Sequence, residues 1–174
     1  MIDVHVLTYS GTRKDWLDQC LASLAREPLV TVHVLDGDEG NVGAGRVRGY
    51  QMGTHQYVSY VDSDDYILPG TIEACIEGLQ SARHVVTLER RLRGDTWFPG
   101  TFGNHHLVVY TRADVLPVLD VLPEHPMFCD KVLADRLTPR QLAHVGYVWR
   151  QHADQGHRKA TFAELQKAEE AWSR

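Results

Sequence analysis

Asp62, Asp64 and Asp65 end an apolar, β-branched and aromatic run in residues 57–69, YVSYVDSDDYILP. Three carboxylates within four positions repel one another, and a helix cap or turn has use for only one of them. Oxygen donors at this density suit a hard divalent cation, Mg2+ or Mn2+; the alternative is an acidic turn compensated by a nearby arginine. Tyr9, Asp36 and Asp38 close two earlier apolar runs. Ligands of open α/β sheets gather at the carboxyl ends of the strands, so these residues and the acidic cluster are expected to share one ligand. Tyr9 fits either a ring stacked on a planar base or a rim aromatic. Asp36 or Asp38 fits either an acceptor for a base N–H or a turn residue.

The elements that must position these groups can be read from periodicity. Residues 3–8 and 30–36 are short and β-branched, as strands are, and Trp16, Leu17, Cys20, Leu21 and Leu24 fall between them at helical spacing. The order is strand, helix, strand. A glycine-rich connection at 37–45 leads into a helix expected at 46–54 and a strand at 57–61. Pro69 opens a helix carrying Ile72, Cys75, Ile76 and Leu79 on one face, and 84–89 is a further strand. Repeated β-α-β implies a parallel sheet with helices on both faces. The second half is less regular: a loop at 90–104, a strand at 105–110, a short helix near 112–120, a proline-bounded break at 123–126, a helix from about 127 to 137, a strand at 143–150, a loop at 151–160 and an amphipathic helix at 161–172.

At 174 residues the chain is expected to form a single domain with its own core. A net charge of −5 argues against wholesale attraction to nucleic acid or anionic membrane. Cys20, Cys75 and Cys129, odd in number and widely spaced, read as buried free thiols in a reducing compartment. With no basic leader pattern and no long apolar run, the expected location is the cytoplasm. The glycine segment lacks the dinucleotide-binding fingerprint, because Arg48 stands where a glycine or alanine is required, and no phosphate-binding loop motif follows.

In order along the chain, VLTYS, LDQCLASL, VTVHVLDGDEGN, VGAGRVRGY and YVDSDDYILPG resemble the nucleotide-binding half of family-two glycosyltransferases, the GT-A fold. Thr8 and Tyr9 match a strand ending in Thr-Tyr, Arg46 the arginine of an Ala-Arg-Asn helix, and Asp62-Ser63-Asp64 an Asp-x-Asp. Ser10 and Val47 depart from the usual asparagines. MFCDKVLADRL is similar to the family's Glu-Asp helix, with Cys129 in the place of Glu, and VWRQHADQGHRK to its late Tyr-Arg-x-His segment.

The resemblance implies an α/β, GT-A-like, mostly parallel sheet flanked by helices, with a small antiparallel element in the second half. Residues 1–88 would form the nucleotide-binding half, 89–160 the acceptor and catalytic half, and 161–174 the C-terminal helix. It implies Mn2+ or Mg2+ on Asp64 and His152, with Asp62 at the ribose hydroxyls or supporting the metal, and Asp65 orienting its neighbours. Thr8, Tyr9, Asp36, Asp38, Arg46 and Arg158 would bind a nucleotide-sugar donor, UDP-linked, with Lys159 adding charge. Asp130 would take the proton of an acceptor hydroxyl, giving transfer with inversion. Arg90, Arg91, Arg93, Trp97 and Phe98, basic and aromatic by turns, would hold the acceptor: a small molecule, a glycan or a modified nucleic acid. A nucleotidyltransferase of related fold and a non-catalytic nucleotide-sugar-binding module are the rivals. The former lacks its glycine-rich signature after the first strand, and the latter has no need of Asp130.

Overall fold

The computed structural model describes residues 1–153, apart from the side chains of 102–105. Arg158, Lys159 and the helix expected at 161–172 lie outside the described residues. The strands are β1 (Ile2–Thr8), β2 (Val30–Asp36), β3 (Tyr57–Tyr60), β4 (Tyr66–Ile67), β5 (Val85–Arg93), β6 (Thr96–Trp97), β7 (Phe102–Thr111) and β8 (Arg140–Arg150). The helices are α1 (Lys14–Leu24), α2 (Val42–Gln51), α3 (Thr71–Leu79), α4 (Arg112–Val115) and α5 (Cys129–Leu137), with a 3₁₀ segment at Leu116–Glu124. One mixed sheet runs β2-β1-β3-β7-β5-β8-β4, and β6 pairs with β5. Pairing is parallel for β1 with β2, β1 with β3 and β5 with β8; the antiparallel pairs all involve β4, β6 or β7.

Strand alternation divides the core between the two faces. Ile2, Val4, Val6, Val85, Val109 and Tyr147 pack with Cys20 and Leu24 of α1 and Ile72 and Cys75 of α3. Val58, Tyr60, Val86, Val108 and Tyr110 pack with Tyr50 of α2, Leu119 and Leu122 of the 3₁₀ segment, and Cys129 and Leu133 of α5. The three cysteines are buried and free. Among the described residues no helix is long and apolar enough to cross a membrane.

Several elements depart from the periodicity. Helix α2 begins at Val42, four residues earlier than expected, because the Asn41 side chain caps it by accepting from the Ala44 N–H at 3.0 Å. Its glycines serve packing: Gly43 lies so close to the Leu122 carbonyl that a Cβ has no room. The loop expected at 90–104 is instead the end of β5, the β5–β6 hairpin and the start of β7. The helix expected near 112–120 tightens after one turn into 3₁₀ geometry, where Pro117 and Pro123 cannot donate to an α ladder.

At the end of the strands opposite the acidic loop, buried Asp3 accepts from His33 Nε2 at 2.8 Å, the His55 N–H at 2.7 Å and Arg112 Nη2 at 2.6 Å. Burial pushes its carboxyl up, but His33, the His55 N–H and the charges of His55 and Arg112 outweigh this and hold it below the ordinary value. A depressed folded pKa adds stability above the unfolded value of about 3.9, which is lost as the pH falls through the folded one. Asp3→Asn is expected to cost about 2–3 kcal/mol in urea unfolding at pH 7, with the difference shrinking below about pH 4. Equal midpoints at pH 7 would show that the network contributes nothing.

Candidate active site

The carboxyl ends of β1, β2 and β3 and the N-terminus of α5 meet at one end of the sheet. Thr8 Oγ1 donates to Asp36 Oδ1 at 3.1 Å, and Glu39 accepts the Ser10 N–H at 2.8 Å, tying the β1 loop to the β2 loop. Arg48 donates to Asp38 and to the Asp36 carbonyl. The arginine that spoils the dinucleotide fingerprint thus fastens the β2 loop. The Tyr9 ring lies against Gly37, where no Cβ would fit. Among the described residues its hydroxyl is buried without a hydrogen-bond partner. Burial, opposed by Arg46 and reinforced by Asp62, Cys129 and Asp130, pushes that hydroxyl up to about 12.

The three carboxylates of the acidic loop have three environments. Asp62 accepts from Arg46 Nη2. Burial raises its carboxyl above the ordinary value, against the opposing Arg46 charge, with Asp64 and Asp130 adding to the rise. Asp64 Oδ2 meets Nε2 of His152, 88 positions further along the chain, at 2.7 Å. Asp65 is fully committed: Oδ2 accepts from the Tyr147 hydroxyl at 2.7 Å and Oδ1 from the Arg150 N–H at 2.6 Å. Burial, then Asp64 and Asp62, drive its carboxyl well above the ordinary range. Asp65 therefore anchors β8 beneath the loop, and the Tyr147 hydroxyl also accepts the Asp62 N–H at 3.3 Å.

Two arginines join these parts. Arg46, only 2% exposed, lies 3.7 Å over the Tyr60 ring and, besides holding Asp62, brings Nε within 3.9 Å of Asp130 Oδ1. Burial opposes its charge, but Asp62 and Asp130 prevail and keep it charged. Arg150 donates to the Asp64 carbonyl and to Gln19, and its guanidinium lies 4.9 Å over Trp16, whose ring also flanks His152 at 4.6 Å. Arg150 and Arg48 were assigned no role from sequence; Arg150 lies inside the Arg-x-His segment, and that position was the available signal.

Asp130 is the second residue of α5, near the positive end of the helix dipole. Phe128, with φ 62°, turns the chain into the helix. The Val42 N–H donates to the Pro126 carbonyl at 3.3 Å and Asn41 Nδ2 to the Pro123 carbonyl at 3.1 Å, docking this turn on α2 beside Arg46. The Cys129 thiol donates to Asp130 Oδ1 at 3.1 Å. Burial, then Asp130, raises that thiol well above its ordinary value, so it stays protonated.

The arginines expected on the acceptor side do not form one patch. Alternation along β5 sets Arg91 and Arg93 on the face of Glu89 and Arg90 on the other. Arg90 lies 4.6 Å from the Trp97 ring, Arg91 4.9 Å from Trp149 and Arg93 5.0 Å from Phe98.

Asp64 and His152 are hydrogen-bonded to one another at 2.7 Å, and of the two the carboxylate is the donor that suits Mn2+ or Mg2+. Among the described residues no group of three or more such side chains is placed to hold a metal, so a cation on Asp64 and His152 would take its other ligands from substrate or water. Asp62 is turned to Arg46 instead.

A mixed sheet layered between helices, with an acidic loop after its third strand, is the GT-A architecture. The chain matches the model of glycosyl transferase family 2 over residues 19–128 and belongs to that family. Among solved structures it is similar to S. aureus TarS 1–349 in complex with UDP, with a TM-score of 0.70 and 15% identity over 87% of this chain and 61% of that one. The complex of the same TarS fragment with UDP-GlcNAc gives a TM-score of 0.70 and 15% identity over 98% and 64%. A longer TarS structure gives 0.65 and 16% over 88% and 37%. The chain thus spans less than two thirds of the TarS structures it matches. No curated protein matches the sequence.

Proposed function

We propose that the chain is the catalytic domain of an inverting, metal-dependent glycosyltransferase that moves a sugar from a UDP-sugar to an acceptor hydroxyl. The observation that carries this reading is the shared guanidinium of Arg46, which holds Asp62 of the acidic loop and reaches Asp130 of α5. Its contacts bring the carboxylate assigned to the donor side and the carboxylate assigned as base into one cluster, which supports placing them in one site. The UDP and UDP-GlcNAc complexes of TarS support the choice of nucleotide.

In this reading Thr8, Tyr9, Asp36 and Asp38 receive the nucleoside, Asp62 faces the ribose, and Arg158 adds positive charge at the diphosphate. Asp64 and His152 would hold Mn2+ or Mg2+, which when bound offsets the charge of the leaving diphosphate as a Lewis acid. Asp130 accepts the proton of the acceptor hydroxyl while that oxygen bonds to the anomeric carbon and the bond to the diphosphate breaks on the opposite face. One displacement inverts the anomeric centre. Arg91 and Arg93 on one face of β5, or Arg90 and Trp97 on the other, border the acceptor.

Calorimetric titration of UDP, with Mn2+ and with EDTA, tests the donor end. The wild-type protein is expected to bind more tightly with Mn2+, and Asp64→Ala to give the same weak isotherm in both conditions. Metal-independent binding by the wild type, or metal dependence surviving in Asp64→Ala, would overturn the assignment.

A further inference from the structure

The two edges of the sheet are built differently. One edge is β4, two residues long, and the added strand β6 is equally short. The other is β2, seven residues in unbroken parallel register with β1. An edge strand offers its outward N–H and C=O groups to any chain able to pair with them, and short length, lysine, proline or a bulge ordinarily guards it. β4 and β6 are guarded by length. The β2 sequence VTVHVLD has no lysine, no proline and no bulge. On it, Val30 and Val32 pack on the α1 side of the core, and Val34 continues their stripe into solvent at 49% exposure.

The bonds at the two ends of β2 settle which groups face outward. The Leu29 carbonyl accepts from the Ile2 N–H at 2.9 Å, and the Gly37 N–H donates to the Thr8 carbonyl at 2.8 Å. Odd-numbered residues therefore bond to β1, and the N–H and C=O groups of Val30, Val32, Val34 and Asp36 point off the sheet. Arg48 occupies the Asp36 carbonyl. Among the described residues, nothing is hydrogen-bonded to the outward groups of the three valines.

This set is self-complementary. We propose that β2 pairs antiparallel with β2 of a second copy, across a two-fold axis at Val32, so that one sheet runs through a homodimer. Val30 then faces the partner's Val34, Val32 faces the partner's Val32, and each pair exchanges two hydrogen bonds. The exposed valine is covered. The ladder also ends where it must, because the next pair would join Asp36, whose carbonyl is occupied, to Pro28, which has no N–H. Moving the axis to His33 would set that histidine against itself and spend Val30 on the occupied carbonyl. The charges agree with the antiparallel sense. It brings exposed Arg26, just ahead of the strand, toward the partner's Asp36 and Asp38 at the far end. A two-fold contact uses each β2 edge once and closes at the dimer. The inference stands independently of the donor reading.

Sedimentation equilibrium over the micromolar range is expected to show a monomer–dimer equilibrium for the wild type. Val34→Pro removes an outward N–H and no bond to β1. It should raise the dimer Kd about 10- to 100-fold, since two hydrogen bonds per dimer are lost, with the circular dichroism spectrum unchanged. Val34→Lys, which guards the edge and leaves the backbone intact, should act in the same direction. Arg26→Glu should weaken the dimer at low salt more than at high salt. Oxidation reads the register: Val30→Cys and Val34→Cys proteins, mixed, should form an intersubunit disulfide, because the Cα atoms of such a pair stand about 5.5 Å apart. Neither protein alone should crosslink. A wild type that stays monomeric at every concentration overturns the proposal, and so does a dimer untouched by both Val34→Pro and Val34→Lys, whose copies must meet elsewhere. A disulfide formed by Val34→Cys alone overturns the axis at Val32.

Discussion

Asp130→Asn is expected to lower kcat by about 10²- to 10⁴-fold, the range for loss of a general base, while UDP-sugar affinity is unchanged. The substitution keeps the shape of the side chain at the start of α5 and removes its capacity to take a proton together with its charge beside Arg46. Its surroundings should tolerate the exchange. Arg46 retains Asp62 as partner, and the Cys129 thiol, protonated because it is buried, can donate to an amide oxygen as it does to the carboxylate. The split between kcat and donor affinity is the informative part, because a variant that merely misfolds loses both. Retained turnover would move the base elsewhere and remove the main distinction from a binding module.

What the sequence disclosed was the part of the molecule built from local pattern. The β1-α1-β2 unit, α3 and the acidic loop follow from alternation, helical spacing and a run of aspartates, each contained within a few residues. The pairing of Asp64 with His152 was available only from the family's motif order, since nothing local to His152 distinguishes it from a loop histidine. The second half was harder. β5 and β7 extend through a glycine-, proline- and arginine-rich segment whose strands are held by non-local pairing, not by propensity. Glu89 and His106 look like ordinary polar positions on two separate strands, and it is the pairing of β5 with β7 that brings them within hydrogen-bond distance. Arg46 carries a further lesson. Its motif announces a donor contact, yet tertiary packing buries it against Tyr60 and turns its guanidinium toward two carboxylates of this chain.

That burial makes Arg46→Met the most damaging single change expected for stability, at about 3–5 kcal/mol, the cost of removing one partner from a buried ion pair. For a domain of this size the loss corresponds to a fall in Tm of roughly 6–20 °C. Methionine can fill the space over Tyr60 but cannot donate to Asp62 or offset Asp130. The pH dependence has a definite sign. Burial already raises the Asp62 carboxyl, and Asp64 and Asp130 add to it, with Arg46 the largest opposing influence. Without Arg46 the folded pKa rises further. A raised folded pKa means that stability falls as the pH climbs from the unfolded carboxylate value toward the folded one. The gap between Arg46→Met and wild type should therefore be wider at pH 8 than at pH 5. Asp62→Asn placed in the Arg46→Met background should recover part of the loss, since it removes the stranded carboxylate, and the double-mutant cycle measures the coupling. Arg46→Lys should fall between, because a point charge on a flexible stem cannot serve both carboxylates as a planar fork does. Thermal melts of the wild type, Arg46→Met, Arg46→Lys, Asp62→Asn and the double variant at the two pH values decide the matter. A loss that does not depend on pH, with no recovery in the double variant, would mean that Arg46 supports the fold by packing alone and that the two carboxylates are held apart by other means.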